Sequence, residues 1–422
     1  MSTDAGTVPQ LVVTRARWSL MVVFLLYGVT QMGWLSRLPS IRASLDVSSA
    51  QLGAFLMVGA AGSLVSILVS GAVVTRYGSR ATLVVGAVGN GVAQCVIAAA
   101  AGTGSAPLFV VGVLLNGLTS ASMYTPINIS AARVEQHVGR AILPHFHAAF
   151  SIGAALGALV SAGCSAAQVP VGVQMAVVAV TVAVVRLVLV SPATVLSPAP
   201  VRGDEASRSS PGRRRTPLRT ALQAWAEPRT VLIGLVLLAS ALSEGSAGQW
   251  LSIAVVDGFH VREALGAVAY GTFVVAMTVV RFGGTHLIDR YGRVAVLRAS
   301  GISGLLGLAV FGLAPTWWLA FPGIVLWGMG SALANPIAMA AASDDPARAA
   351  ARVSVASSFM SVALISAPPM LGLLADAVGA RHALMVIAIA LVLSVSVAGQ
   401  VRPQPAAESP TGTTRKDPDP VG

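Results

Sequence analysis

Apolar residues in this chain come in blocks of about 20 that carry almost no charge. A helix of that length crosses the roughly 30 Å of hydrocarbon in a bilayer. Such a block satisfies its own backbone hydrogen bonds in lipid only as a helix, so the expected fold is all-α and polytopic. Twelve spans can be drawn, at 18–38, 51–75, 81–101, 107–130, 145–166, 170–191, 230–252, 264–287, 293–313, 317–342, 352–377 and 379–400. Charged residues are 10% of the chain, against about a quarter in soluble domains, and the mean hydropathy is +0.78. Cys95 and Cys164 both fall inside spans, match no metal or redox spacing, and read as small packing residues.

The net charge of +11 does not describe a nucleic-acid surface. Basic residues collect on alternate loops, at Arg15, Arg17, Arg76, Arg80, Arg133, Arg140, Arg290, Arg293, Arg298, Arg348 and Arg352. The other loops keep only Arg37, Arg42, Arg262 and Arg381. By the positive-inside rule this asymmetry places both termini in the cytoplasm of a cell-membrane protein. Residues 1–17 form a polar cytoplasmic amino terminus, and the first span lacks a convincing small-residue cleavage site and reads as an uncleaved first helix. Residues 192–229 are rich in Pro, Ser and Arg and form a linker between six-helix units at 18–191 and 230–400. The Arg213–Arg215 run reads as a topology signal that meets anionic headgroups. The 401–422 tail has a disordered composition.

The two units echo each other. Arg76-Tyr77-Gly78 recurs as Arg290-Tyr291-Gly292, 214 residues on. Pro126-Ile127 matches Pro336-Ile337 at an offset of 210, and Phe150 matches Phe359 at 209. Duplicated helix bundles of this kind place a binding site near the midplane, at the interface of the repeats.

The loop after span two reads Gly71-Ala72-Val73-Val74-Thr75-Arg76-Tyr77-Gly78-Ser79-Arg80, and Gly284 with Asp289-Arg290-Tyr291-Gly292-Arg293 follows span eight. Two such copies in a twelve-span frame resemble the loop signature of the major facilitator superfamily, with Thr75 where Asp is usual. More narrowly, Trp34–Ile41, Phe146-His147, Phe150–Gly153, Glu244-Gly245, Trp250, and Ala269–Phe273 through Met277 and Arg281 resemble a bacterial subgroup near the fucose permeases. The resemblance implies two pseudo-symmetric six-helix bundles and transport by alternating access. In that subgroup an acidic residue often precedes the span-seven tryptophan, where this chain has Gln249. Drug-efflux signatures match poorly: Val113 stands where their arginine would fall, and 153–163 contains no proline.

Glu244 is the one acidic residue well inside a span, about 21 Å from the cytoplasmic end of its helix at 1.5 Å per residue. A charge in hydrocarbon is expensive, so it normally faces a polar cavity and has a task. A buried carboxyl holds its proton more readily than one in water, which suits proton coupling. The competing account is a structural carboxylate tied to helix-end amides or to an arginine.

Gln31, Trp34 and Arg37 recur at i+3 on one face of span one. Gln31 and Trp34, with Gln249 and Trp250 of span seven, are expected to line the solute cavity; Arg37 is an anchor or an outer gate. Asn116, Ser120, Tyr124 and Asn128 form an i+4 polar stripe on span four, lining the cavity or bonding a neighbouring helix. Asn335 of span ten is its counterpart. His147 reaches the cavity or packs near the cytoplasmic surface, and its spacing of two from His145 excludes a metal pair on one helix face. Arg281 pairs with a substrate anion, snorkels or acts at an inner gate.

Arg76, Arg80, Asp289, Arg290 and Arg293 are expected to gate the cytoplasmic face by bridging the halves, with Arg140 as the partner of Asp289. The reading is a secondary carrier of a small organic solute, proton-coupled through Glu244; the alternative is a proton-driven efflux carrier of the same fold. An intramembrane enzyme lacks a second buried carboxylate, HExxH or a cysteine pair. No metal, cofactor or Walker loop is indicated. The expected partners are a small solute and the lipid bilayer, no nucleic acid, with a single chain as the working unit.

Overall fold

The computed structural model describes residues 9–139, 142–197, 223–345 and 348–403. These are almost wholly helical, without a strand among them. Nine described helices are long and apolar enough to cross a membrane. Two of them, Ser49–Thr103 and Glu263–Leu313, each contain two spans, and the shorter Ala380–Ser396 completes the twelve expected crossings.

The doubled helices show the sequence repeat in the backbone. Each turns at the glycine of its Arg-Tyr-Gly copy, Gly78 at φ 81° and ψ 161° and Gly292 at φ 79° and ψ 157°. Only glycine occupies that region without strain, so both reversals are tied to the residue type. The neighbouring side chains repeat as well: Arg76 lies 5.6 Å over the Tyr77 ring and Arg290 5.4 Å over Tyr291.

Helices here cannot be driven together by an apolar effect, since lipid is as apolar as they are; close contact between small residues takes its place. In the amino-terminal half, Gly28 on span one faces the backbone of Phe150 on span five, and Gly153 faces that of Leu25. A methyl group at either position would overlap a carbonyl oxygen. Cys95 and Cys164 are free thiols, both partly buried.

Span ten, expected to be continuous over 317–342, is not. It consists of Trp317–Gly330 and Ala334–Ala342, separated by a break at 331–333. Pro336 supplies a reason, because its ring and missing N–H exclude a helical bond to the carbonyl four residues back, that of Ala332. Pro126 of the duplicate leaves span four unbroken over Ala106–Val138.

We call the end where the first helix begins and both glycine reversals lie the linker face, and the opposite end the far face. At the far face the halves are tied. Arg37 of the first half meets Glu263 of the second at 3.0 Å, and Arg42 meets Asp257 at 2.6 Å. Ser40 and Ser165 also bond the Glu263 carboxylate, at 2.6 and 2.9 Å. Asp376 accepts from the amides of Ser49 and Ala50 at 2.8 and 3.0 Å, capping the start of span two from the other half. Gly53 and Gly372 bring the same two helices into backbone contact. Between described residues, every inter-half hydrogen bond and ion pair lies at this face.

Candidate functional site

A cavity of about 210 Å³ lies between the halves, walled by spans one, two, four, seven and eleven. Its polar lining is Gln31, Trp34, Asn116, Gln249, Ser63 and Ser361, and no Asp, Glu, Lys, Arg or His contributes. Gln31 and Gln249 come from equivalent helices of the two halves, and neither carboxamide bonds a described residue. Trp34 is 5% exposed, its indole N–H buried without a partner.

Glu244 is not the isolated buried acid expected from its place in the sequence. Its carboxylate meets Arg281 of span eight at 2.9 Å, and both side chains are more than a third exposed. Arg281 also donates through Nε to the Ala332 carbonyl at 3.1 Å, the group that Pro336 leaves without a helical donor. The broken helix thus anchors the arginine, and the arginine holds the carboxylate. Reading each span as a separate helix could not supply this partner 37 residues away. His147, from span five of the other half, is exposed and within electrostatic reach of Arg281.

Arg186, which the sequence reading passed over, is 1% exposed in the middle of span six. Its guanidinium donates to Asn90 Oδ1 at 2.8 Å, Thr30 Oγ1 at 2.9 Å and the Leu26 carbonyl at 3.1 Å. None of these is a carboxylate. Asn90 Nδ2 in turn donates to Asn116 Oδ1 and Ser120 Oγ, each at 3.0 Å, and Gln94 Nε2 donates to Asn116 Oδ1 at 2.9 Å. The rule that singled out Glu244, a charge within an apolar block, would have found Arg186 too.

The span-four stripe divides. Asn116 and Ser120 are buried in this network, with Asn116 also reaching the cavity. Tyr124 is half exposed and packs against Tyr27 at 6.3 Å, and Asn128 is partly buried and bonds the Tyr124 carbonyl. Neither contributes to the cavity lining, nor do His147 and Asn335. Trp250 departs from its expected place: it is 1% exposed within the core, because its position on span seven turns it into the carboxy-terminal bundle.

Arg76, Arg80, Asp289 and Arg290 are exposed at the linker face and make no inter-half ion pair among described residues. Arg293 instead meets Asp344 at 2.7 Å inside its own half and makes no inter-half ion pair among described residues. Arg140 lies outside the described residues. Arg37 is the gate-like residue with a visible partner, held by Glu263, by Gln174 at 2.9 Å and by the Val169 carbonyl at 3.1 Å.

Comparison with known proteins agrees with this architecture. The family model of the Major Facilitator Superfamily matches residues 19–356 and again 233–420. An uncharacterized transporter, y4wD of Sinorhizobium fredii (strain NBRC 101917 / NGR234), is 30% identical over 374 residues, covering 87% of this chain and 93% of that protein. A crystal structure of the nucleoside transporter NupG aligns with a TM-score of 0.69 at 16% identity, covering 92% of this chain and 98% of that one. A crystal structure of FucP, a Major Facilitator Superfamily transporter caught in the outward conformation, aligns at 0.59 and 15% identity, over 91% and 97%. Duplicated six-span halves, glycine reversals at both signature loops and a cavity between the halves accord with that match, and this chain belongs to the major facilitator superfamily.

Proposed function

We propose that the protein is a secondary carrier that moves a small, polar organic solute across the cell membrane by alternating access. The observation that carries this reading is the asymmetry of the seam between the halves. The cavity is roofed at the far face by Arg37–Glu263, Arg42–Asp257 and the Asp376 cap, while described residues make no polar inter-half tie at the linker face. With the linker face taken as cytoplasmic from the charge on its loops, this asymmetry supports an inward-facing conformation. The volume of about 210 Å³ lies below the roughly 300–1,000 Å³ of drug-sized sites, which favours a compact solute.

Coupling is assigned to Glu244. Its carboxylate holds Arg281 at 2.9 Å, and taking up a proton removes the charge that holds the arginine. Arg76, Arg80, Arg140, Asp289 and Arg290 then close the linker face when the far face opens. The test is uptake of an identified solute into proteoliposomes with and without an imposed pH gradient. Gradient-driven accumulation is expected to fall at least tenfold in Glu244→Gln, with solute exchange at zero gradient retained. Equal response of the two proteins to the gradient removes Glu244 from the coupling.

A further inference from the structure

Arg186 touches no wall of the cavity, yet it fixes the chemistry of one. A guanidinium is a donor only. Because Arg186 donates to Asn90 Oδ1, the Asn90 amide must point its Nδ2 the other way, toward Asn116 and Ser120. Asn116 Oδ1 is therefore an acceptor for Asn90, with Gln94 Nε2 and Ser120 Oγ as further donors at 2.9 and 3.3 Å. Turning Asn116 over would set N–H against N–H twice. Its Nδ2 makes no hydrogen bond to a described residue and is not among the sealed, unpartnered atoms, so it opens to the cavity that Asn116 lines.

We propose that Arg186 is a positioning residue which, through Asn90, makes Asn116 present its amide N–H₂ to the cavity, and that the solute places an uncharged oxygen acceptor there. This rests on the cavity being the solute site. The lining supports an uncharged solute beyond this one contact. Gln31 and Gln249 offer one donor group and one acceptor each, Ser63 and Ser361 add hydroxyls, and no ionised side chain is present to neutralise a charge. A hydroxyl, ring-ether or carbonyl oxygen fits Asn116; a carboxylate or ammonium brought into this lining would lose its hydration without a counter-charge.

The test uses the full-length protein in detergent and thermal-shift titration with D-glucose, D-xylose and uridine, against glucuronate and glucosamine as charged counterparts of the hexose. At least one uncharged probe is expected to bind and both charged ones to fail. Asn116→Asp keeps the acceptor for Asn90 and Gln94 but replaces the cavity donor, and should weaken that probe at least tenfold. Asn90→Asp separates positioning from mere support. It gives Arg186 a carboxylate partner, so the melting temperature should hold or rise. It can no longer donate to Asn116, which turns its oxygen to the cavity, and binding should fall at least tenfold. Arg186→Lys, which still donates to Asn90, should keep binding within threefold even where it melts earlier.

Binding by a charged probe alone, or by none of the uncharged ones, overturns the solute class. Binding that follows melting temperature across the three variants overturns the positioning role. Binding without transport in proteoliposomes would sink the carrier reading and leave this inference standing.

Discussion

In the amino-terminal half the buried cation Arg186 is held by three neutral oxygens, from Asn90, Thr30 and Leu26, and is sealed from solvent. In the carboxy-terminal half an arginine on a non-equivalent helix sits differently: Arg281 faces a carboxylate, Glu244, and both remain more than a third exposed. The halves share a backbone repeat down to the φ of Gly78 and Gly292 but not this polar interior. A sealed charge without a counter-ion is held in place, since moving it leaves the Asn90, Thr30 and Leu26 oxygens without this donor in a buried setting. A wet ion pair is exchangeable, because water and protons reach it. In the proposed mechanism the sealed arginine orients one wall of the cavity, while the wet pair carries the coupling.

The largest expected effect tests the sealed site. Arg186→Met leaves Asn90 and Thr30 oxygens unpaired in a buried setting, at about 1–3 kcal/mol for each group. Unfolding of the purified protein in detergent should move to markedly lower temperature, and an unchanged transition would show that the network does not hold the half together. Next is the seam where the halves meet. Gly372 lies against the Ser49 backbone, so Gly372→Leu should pry the far face apart. Cysteine labelling at position 50 from that side should rise several-fold, and unchanged labelling would mean the roof is held elsewhere.

Arg281→Met probes the wet pair. Exposed ion pairs are worth about 0–1 kcal/mol, so the melting temperature should scarcely move while gradient-driven transport is lost. A large drop in stability would make the pair structural and erase the contrast between the halves. The smallest effect is a pH slope. Burial pushes the Glu227 carboxyl up, but hydrogen bonds from Arg352, Thr230 and Arg348 outweigh it and hold the group below its usual value. A carboxyl depressed in the folded state adds stability above the usual carboxylate range of about 4.3, and loses it as pH falls through the lower folded value. Acid unfolding of the wild type should therefore be steeper below about pH 5 than that of Glu227→Gln; identical slopes would assign the acid sensitivity to other carboxylates.

How much of the site was legible follows from the range of each interaction. Gln31 and Trp34 were legible as one i+3 face of span one and Gln249 as the neighbour of the span-seven tryptophan, and all three line the cavity. The break in span ten was signalled locally by Pro336, although the identical proline in span four left its helix intact. Glu244 was found, but its partner was not, since Arg281 and Ala332 approach it through packing of three separate helices. Trp250 could not be assigned to core or cavity without the rotation of span seven about its axis.

The sequence by itself determined the twelve crossings, the duplication, the two glycine reversals and the sidedness of charge. Each depends on a local rule: the length of an apolar block, a φ that only glycine adopts, the loop on which an arginine falls. Only the tertiary structure decided that Glu244 is paired, that Arg186 orients Asn116, and that the halves are closed at the far face. These depend on which faces of distant helices meet, and in lipid, where hydrophobicity no longer marks an inner face, close packing and hydrogen bonds set that choice.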